Sequence, residues 1–138
     1  MALEEYFEAG SPLARRLAAE AERSPERLVA RARELVSELS EAEKTATLNA
    51  HPRIGERRER MSERSRREQG QDVVPELDRL NEEYERRFGF RFVVFVNGRS
   101  KAEVAEVLRG RLRRTREEEL DEGLRAICDI AEARLRSA

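Results

Sequence analysis

Cysteine, histidine and aromatic residues are scarce in this chain of 138 residues, which has one Cys, one His and 5% aromatics. The lone Cys128 excludes an internal disulfide and any cysteine-based zinc site. No apolar run approaches the ~20 residues that a membrane-spanning helix needs. Met1-Ala2-Leu3-Glu4-Glu5 lacks the basic start of a signal peptide, and Arg136-Ser137-Ala138 is not a peroxisomal tail. A cytoplasmic protein with no membrane partner is therefore expected. Neither sign of charge dominates: 28 Lys and Arg stand against 29 Asp and Glu, a net charge of −1. That leaves no basic excess to hold nucleic acid. Internal repeats and Gly/Ser linkers are also missing, which predicts one domain over residues 1–138.

What the chain has in abundance is charge of both signs, 41% of residues, threaded by apolar residues at helical spacing. Residues 3–9 read as a short helix stopped by Gly10. Ser11-Pro12 and Ser24-Pro25 each pair an N-cap with Pro at the first helical position, opening helices over about 12–22 and 25–39. Leu28, Ala32, Leu35, Val36 and Leu39 give the second an apolar face. Ser40 with Glu43, Ser100 with Glu103, and Thr115 with Glu118 are capping-box patterns, each opening a helix. Pro75 opens another, with Leu77, Leu80, Tyr84 and Phe88 on one side and Gly89 as its stop. Residues 53–72 are nearly all charge and can bury little of themselves.

Phe90-Arg91-Phe92-Val93-Val94-Phe95-Val96 has the composition of a strand, and Asn97-Gly98 that of a turn. No second strand exists to pair with it, and a lone strand cannot satisfy its backbone. A buried extended segment, or helix outright, is expected instead. The fold class is thus all-α, a single compact domain of seven or eight helices.

Two residues carry chemical promise. His51, in Ala50-His51-Pro52-Arg53-Ile54-Gly55-Glu56, is the only side chain whose ordinary pKa suits proton transfer near neutrality. Pro52 biases it toward extended geometry at a break between helices. The plainer alternative is a solvated loop histidine. On the last helix, taking Ile127 as 0° at ~100° per residue, Leu120, Leu124, Ile130, Ala131 and Leu135 span roughly −60° to +80°. Arg134 falls inside that apolar arc, near −20° on the same scale of ~100° per residue. An arginine aimed at the core needs a partner. The alternative is a stem that snorkels past the core near the helix end.

Several separated stretches together resemble the OHCU decarboxylase family. They are the run from Ser11 through Ala50-His51-Pro52-Arg53-Ile54-Gly55-Glu56, then Ser65-x-x-Glu68-Gln69, then Leu80-Asn81-x-x-Tyr84-x-x-x-Phe88-Gly89-Phe90-x-Phe92-Val93, and the tail with Arg111-Leu112, Glu119-Leu120 and Arg134-Leu135. The resemblance implies an all-α homodimeric enzyme of urate degradation. Such an enzyme converts 2-oxo-4-hydroxy-4-carboxy-5-ureidoimidazoline, a small-molecule substrate, to (S)-allantoin and CO2 without metal or organic cofactor. It implies His51 and Glu68 as catalytic residues. It further implies substrate contacts from Pro52, Ser65, Arg66, Arg67, Glu68 and Gln69, from the backbone of Phe92, Val93, Val94, Phe95 and Val96, and from Arg134. By pattern alone, Ser65 and Glu68 also read as an ordinary helix cap. The chain departs from the family pattern at Arg91, where proline is usual, and at Arg114, where asparagine is common. Its stretch from His51 to Glu68 is shorter than in many members.

The implied chemistry suits these residues. Loss of CO2 leaves an electron pair that the adjacent C=N accepts, so no external electron sink is required. The protein must supply orientation, anion stabilisation and a proton to one face. A histidine with a pKa near working pH fits the last role. The alternative function is a non-enzymatic helical interaction module, which gives no reason for His51, Glu68 and Arg134 to converge. An RNA-binding role for residues 53–67 is disfavoured by the interspersed glutamates.

Overall fold

Every helix start described here is set by a residue that caps it or by proline. The structure is a computed structural model that describes residues 3–54 and 75–137. A single 3-10 turn, Leu3–Glu5, precedes α1 (Pro12–Ala19), α2 (Pro25–Leu35), α3 (Glu41–Ala50), α4 (Pro75–Phe88), α5 (Lys101–Arg111) and α6 (Arg116–Arg136). Ser11 and Ser24 accept from the backbone N–H three residues on, and Ser40, Ser100 and Thr115 form complete capping boxes with Glu43, Glu103 and Glu118. The fold is all-α, with no strand among the described residues. Six α-helices there fall short of the seven or eight expected. The leader is one 3-10 turn rather than a short helix, and the pattern at Ser65 and Glu68 lies outside the described residues.

Two helices stop earlier than their periodicity suggests. α1 ends at Ala19 because Glu20 turns to extended backbone (φ −92°, ψ 170°). Its carboxylate is held by Arg31 at 2.9 Å and by Arg23, pairs that pull it down to about 2. α2 ends at Leu35, with Val36 as its C-cap, while Leu39 stays buried beyond the helix. No described helix is long and apolar enough to cross a membrane.

α6 packs against α2 and α3, α4 against α5, and α1 against α2 and α3. Gly123 on α6 permits the α3 contact: a Cβ there would lie 2.8 Å from Leu48 Cδ2. This close approach brings the end of α3 beside the last turns of α6.

Residues 90–96 form neither helix nor strand. Gly89 (φ 83°) turns the chain out of α4, and Asn97 (φ 49°) with Gly98 (φ 78°) turns it toward α5. Between them Phe90, Phe92 and Val93 are buried. The two phenylalanine rings join Tyr84 and Phe88 in one aromatic cluster, with Tyr84 4.6 Å from Phe88 and 5.2 Å from Phe92 between ring centroids. Packing of these side chains, rather than a β-ladder, fixes the segment. Among the described residues no backbone N–H from 92 to 96 has an acceptor.

Under this segment lies a buried charge cluster. The Glu119 carboxylate is fully buried. Its Oε1 accepts from Arg111 Nε at 2.6 Å and from the Tyr84 hydroxyl at 2.7 Å. Arg111 Nη1 donates to the Val93 carbonyl at 2.8 Å, and its guanidinium carbon lies 4.6 Å from the Phe92 ring centroid. Arg111 Nη2 and Glu119 Oε2 have no hydrogen-bond partner among the described residues, although Arg114 Nη1 stands 3.2 Å from Glu119 Oε2. Breaking a buried ion pair leaves a charge uncompensated, at a cost of roughly 3–5 kcal/mol. Losing one hydrogen bond to a charged group costs roughly 2 kcal/mol. Glu119→Gln should therefore lower the urea unfolding midpoint clearly more than Tyr84→Phe. Equal midpoints would show that the pair contributes no more than its hydrogen bonds.

Candidate active site

The end of α3 carries the central residue of the site. Pro52 cannot continue the helix and restricts the residue before it. His51 accordingly becomes the C-cap in extended geometry (φ −78°, ψ 140°), its N–H donating to the Leu48 carbonyl at 3.1 Å. Pro52 itself is exposed and does not line the cleft described below. The following residues are fastened to α4: Arg53 Nε donates to Glu85 Oε2 at 2.7 Å, and buried Asn81 Nδ2 donates to the Ile54 carbonyl at 3.0 Å.

His51 opens into a cleft of about 280 Å³, its open mouth included. Tyr6, Phe7 and Glu8 form one wall, with Ser11 at the start of α1. Thr47 lies one turn before His51 on α3, and Ile127, Ile130 and Arg134 face them from α6. Thr47 is buried, and its hydroxyl accepts the Leu13 N–H at 3.3 Å, tying α1 to α3 beside the cleft.

The electrostatics of the cleft differ from the sequence expectation. The His51 side chain is only 16% exposed. Burial pulls its pKa down to about 4, helped by the positive charges of Arg134 and Arg91. Glu8 Oε1 lies 3.9 Å from Nδ1, beyond hydrogen-bond reach. The imidazole is therefore neutral at pH 7, a proton acceptor rather than a poised acid. A bound anion would raise its proton affinity by offsetting the two arginines. Cys128 does not compete as a reactive group, because burial pushes its thiol up to about 11.

Arg134 is half-buried on the apolar side of α6, as the helical arc predicts, and neither sealed in the core nor stretched to solvent. Its partner is a backbone carbonyl: Nη1 donates to Tyr6 O at 3.3 Å. No carboxylate among the described residues lies within ion-pair distance of it. The cleft thus holds a guanidinium with donors to spare.

The structure brings His51 and Arg134 together across this cleft. It does not bring residues 92–96 into the same lining: Phe92 and Val93 are buried, and Val94, Phe95 and Val96 are half-buried. Ser65, Arg66, Arg67, Glu68 and Gln69 lie outside the described residues. Tyr6, Phe7, Glu8, Ser11 and Thr47 were not foreseen as site residues. For Thr47 a signal existed, since a residue four before His51 shares its helix face. Nothing local marks Glu8.

Comparison with known proteins gives the family. The OHCU decarboxylase family model matches residues 1–136. The chain is 36% identical over 96 residues to the "Uric acid degradation bifunctional protein PucL" of Bacillus subtilis (strain 168), covering 64% of this chain and 19% of that protein. It is 33% identical over 108 residues to the "2-oxo-4-hydroxy-4-carboxy-5-ureidoimidazoline decarboxylase" of Haloferax volcanii, covering 72% of this chain and 64% of that one. The chain thus spans less than two thirds of either relative's length. Its fold matches the crystal structure of an OHCU decarboxylase in the presence of (S)-allantoin, with a TM-score of 0.75 and 21% identity over 92% of this chain and 89% of that one. This chain belongs to the OHCU decarboxylase family.

Proposed function

We propose that this protein, acting as one helical domain, decarboxylates 2-oxo-4-hydroxy-4-carboxy-5-ureidoimidazoline to (S)-allantoin and CO2 in urate degradation. One observation carries the reading: a neutral imidazole and a guanidinium with no carboxylate partner among the described residues line one cleft open to solvent. Arg134 holds the ring through its planar donors, which suit carbonyl, nitrogen and carboxylate acceptors. Neutral His51 takes the proton of the substrate hydroxyl while the carboxylate departs as CO2. The electron pair left behind passes into the adjacent C=N. The imidazolium then returns its proton to one face of the ring, and the hydroxyl oxygen ends as the carbonyl of the product. Because a carboxylate is lost as neutral CO2, one further proton enters from solvent. A base that is neutral at rest and gains affinity when an anion binds suits this cycle.

Glu68, by its place in the family motif, accepts hydrogen bonds from the hydroxyl or ureido groups, with Ser65, Arg66, Arg67 and Gln69 beside it and Pro52 holding His51 in place. By the family resemblance the backbone of residues 92–96, whose N–H groups have no acceptor among the described residues, contacts substrate, although it does not line the cleft of His51 and Arg134. The relatives' names support the same substrate, and the proposal extends to a homodimer, as the family resemblance implies, acting in the cytoplasm.

Freshly generated substrate decays on its own, and the protein should accelerate that decay. Arg134→Met keeps the stem and removes the donors, so it should stay helical by circular dichroism while raising KM or the allantoin Kd at least about ten-fold. Unchanged binding in that variant would return Arg134 to a structural role. We further propose that the reaction needs no metal or organic cofactor. Dialysis against a chelator should leave the rate unchanged, and a loss restored by added metal would refute this.

A further inference from the structure

Arg91 touches the end of α3 twice. Its backbone N–H donates to Asn49 Oδ1 at 2.9 Å, and its guanidinium Nη1 donates to the His51 carbonyl at 2.9 Å. The last carbonyls of a helix have no partner within it and carry the negative end of its dipole. A guanidinium placed there satisfies one such carbonyl and is favoured by the charge. The other ties after His51, from Arg53 to Glu85 and from Asn81 to Ile54, hold the chain downstream of it. Arg91 alone among these groups bonds to His51 itself.

We infer that Arg91 is a positioning residue for His51: by gripping the His51 carbonyl and the Asn49 side chain it locks the end of α3 to the segment after α4, and so fixes where the imidazole stands across the cleft from Arg134. The inference rests on the reading of His51 as the proton carrier. The second consequence is electrostatic. Among the described residues the charged groups facing His51 are Glu8 from the leader, Arg134 from α6 and Arg91 from the segment after α4. Arg91 adds a positive charge that opposes protonation of the imidazole, with burial and Arg134 acting in the same direction. Removing it loosens the ring's anchor and lets the ring take a proton at higher pH.

His51 is the only histidine in the chain, so its imidazole gives one unambiguous titrating NMR signal. The wild-type midpoint should lie near 4. In Arg91→Met it should rise only part of the way, since burial and Arg134 still hold it down, and in Arg91→Lys, which keeps the charge, it should remain low. With substrate, Arg91→Met should lower kcat about ten-fold with little change in KM, since misplacing a catalytic group costs rate more than binding. The acid limb of its kcat/KM profile should rise in step with the NMR midpoint. Arg91→Lys should recover part of the rate. If Arg91→Met keeps the wild-type kcat, Arg91 does not position His51. Should Arg91→Met fail to fold, Arg91→Gln takes its place with the same expectations. Wild-type protein without decarboxylase activity would refute the proposed function, and the backbone amide shifts of residues 49–51 in Arg91→Met would then decide whether Arg91 holds His51 in place: changed shifts support it and wild-type shifts overturn it.

Discussion

The buried carboxylate of Glu119 is the constraint on which the packing of α4, α5, α6 and the segment 90–96 depends. It stands on α6, receives Arg111 from the end of α5 and the hydroxyl of Tyr84 from α4, and through Arg111 reaches the Val93 carbonyl and the Phe92 ring. Three helices and an irregular segment are thus joined at one pair of charges. Such a pair adds little net stability over an apolar packing of the same volume, because both ions must be desolvated. Its effect is geometric. A segment of strand-like composition with no strand to pair with has few ways to be held, and here one carbonyl is fixed by an arginine that the core cannot leave unpaired.

The cleft depends on a different approach, that of α3 to α6. Gly123 lets Leu48 sit where a side chain on α6 would otherwise stand. That contact lies one turn before His51, and α6 runs on from it to Arg134. Pro52 ends α3 at that point, so the histidine emerges from the helix at the place where α6 presents its arginine. Desolvation and two neighbouring cations then keep the ring neutral. The sequence, packing and charge of the site are therefore linked: the residues that close the cleft also set the protonation state of the group inside it.

Much of this was legible beforehand, for physical reasons that can be named. Caps and prolines are local, so Ser11, Ser24, Ser40, Ser100 and Thr115 marked helix starts that the structure keeps. Helix ends depend on distant partners, and the Arg31 that claims Glu20 could not be foreseen from the spacing around Ala19. The fold class and the inward placement of Arg134 followed from periodicity. The buried cluster could have been read the same way: Arg111 continues the stripe of Val104, Ala105 and Leu108, and Glu119 falls beside the apolar arc of α6 at roughly −80°. What periodicity cannot supply is the pairing, since no local rule says that these two charges meet. The depression of the His51 pKa was hidden likewise, because it arises from burial and from arginines distant in sequence.

The central claim is that His51 delivers a proton to one face of the substrate, and the optical purity of the product reports on it most directly. Solution protonates the intermediate from either side and gives racemic allantoin. Wild-type protein should yield the S form alone. His51→Asn sits in the same helix break and should remain helical by circular dichroism, yet accelerate decay little and leave racemic product. If His51→Asn still forms optically pure allantoin at near wild-type rate, His51 is not the proton donor and the account is wrong.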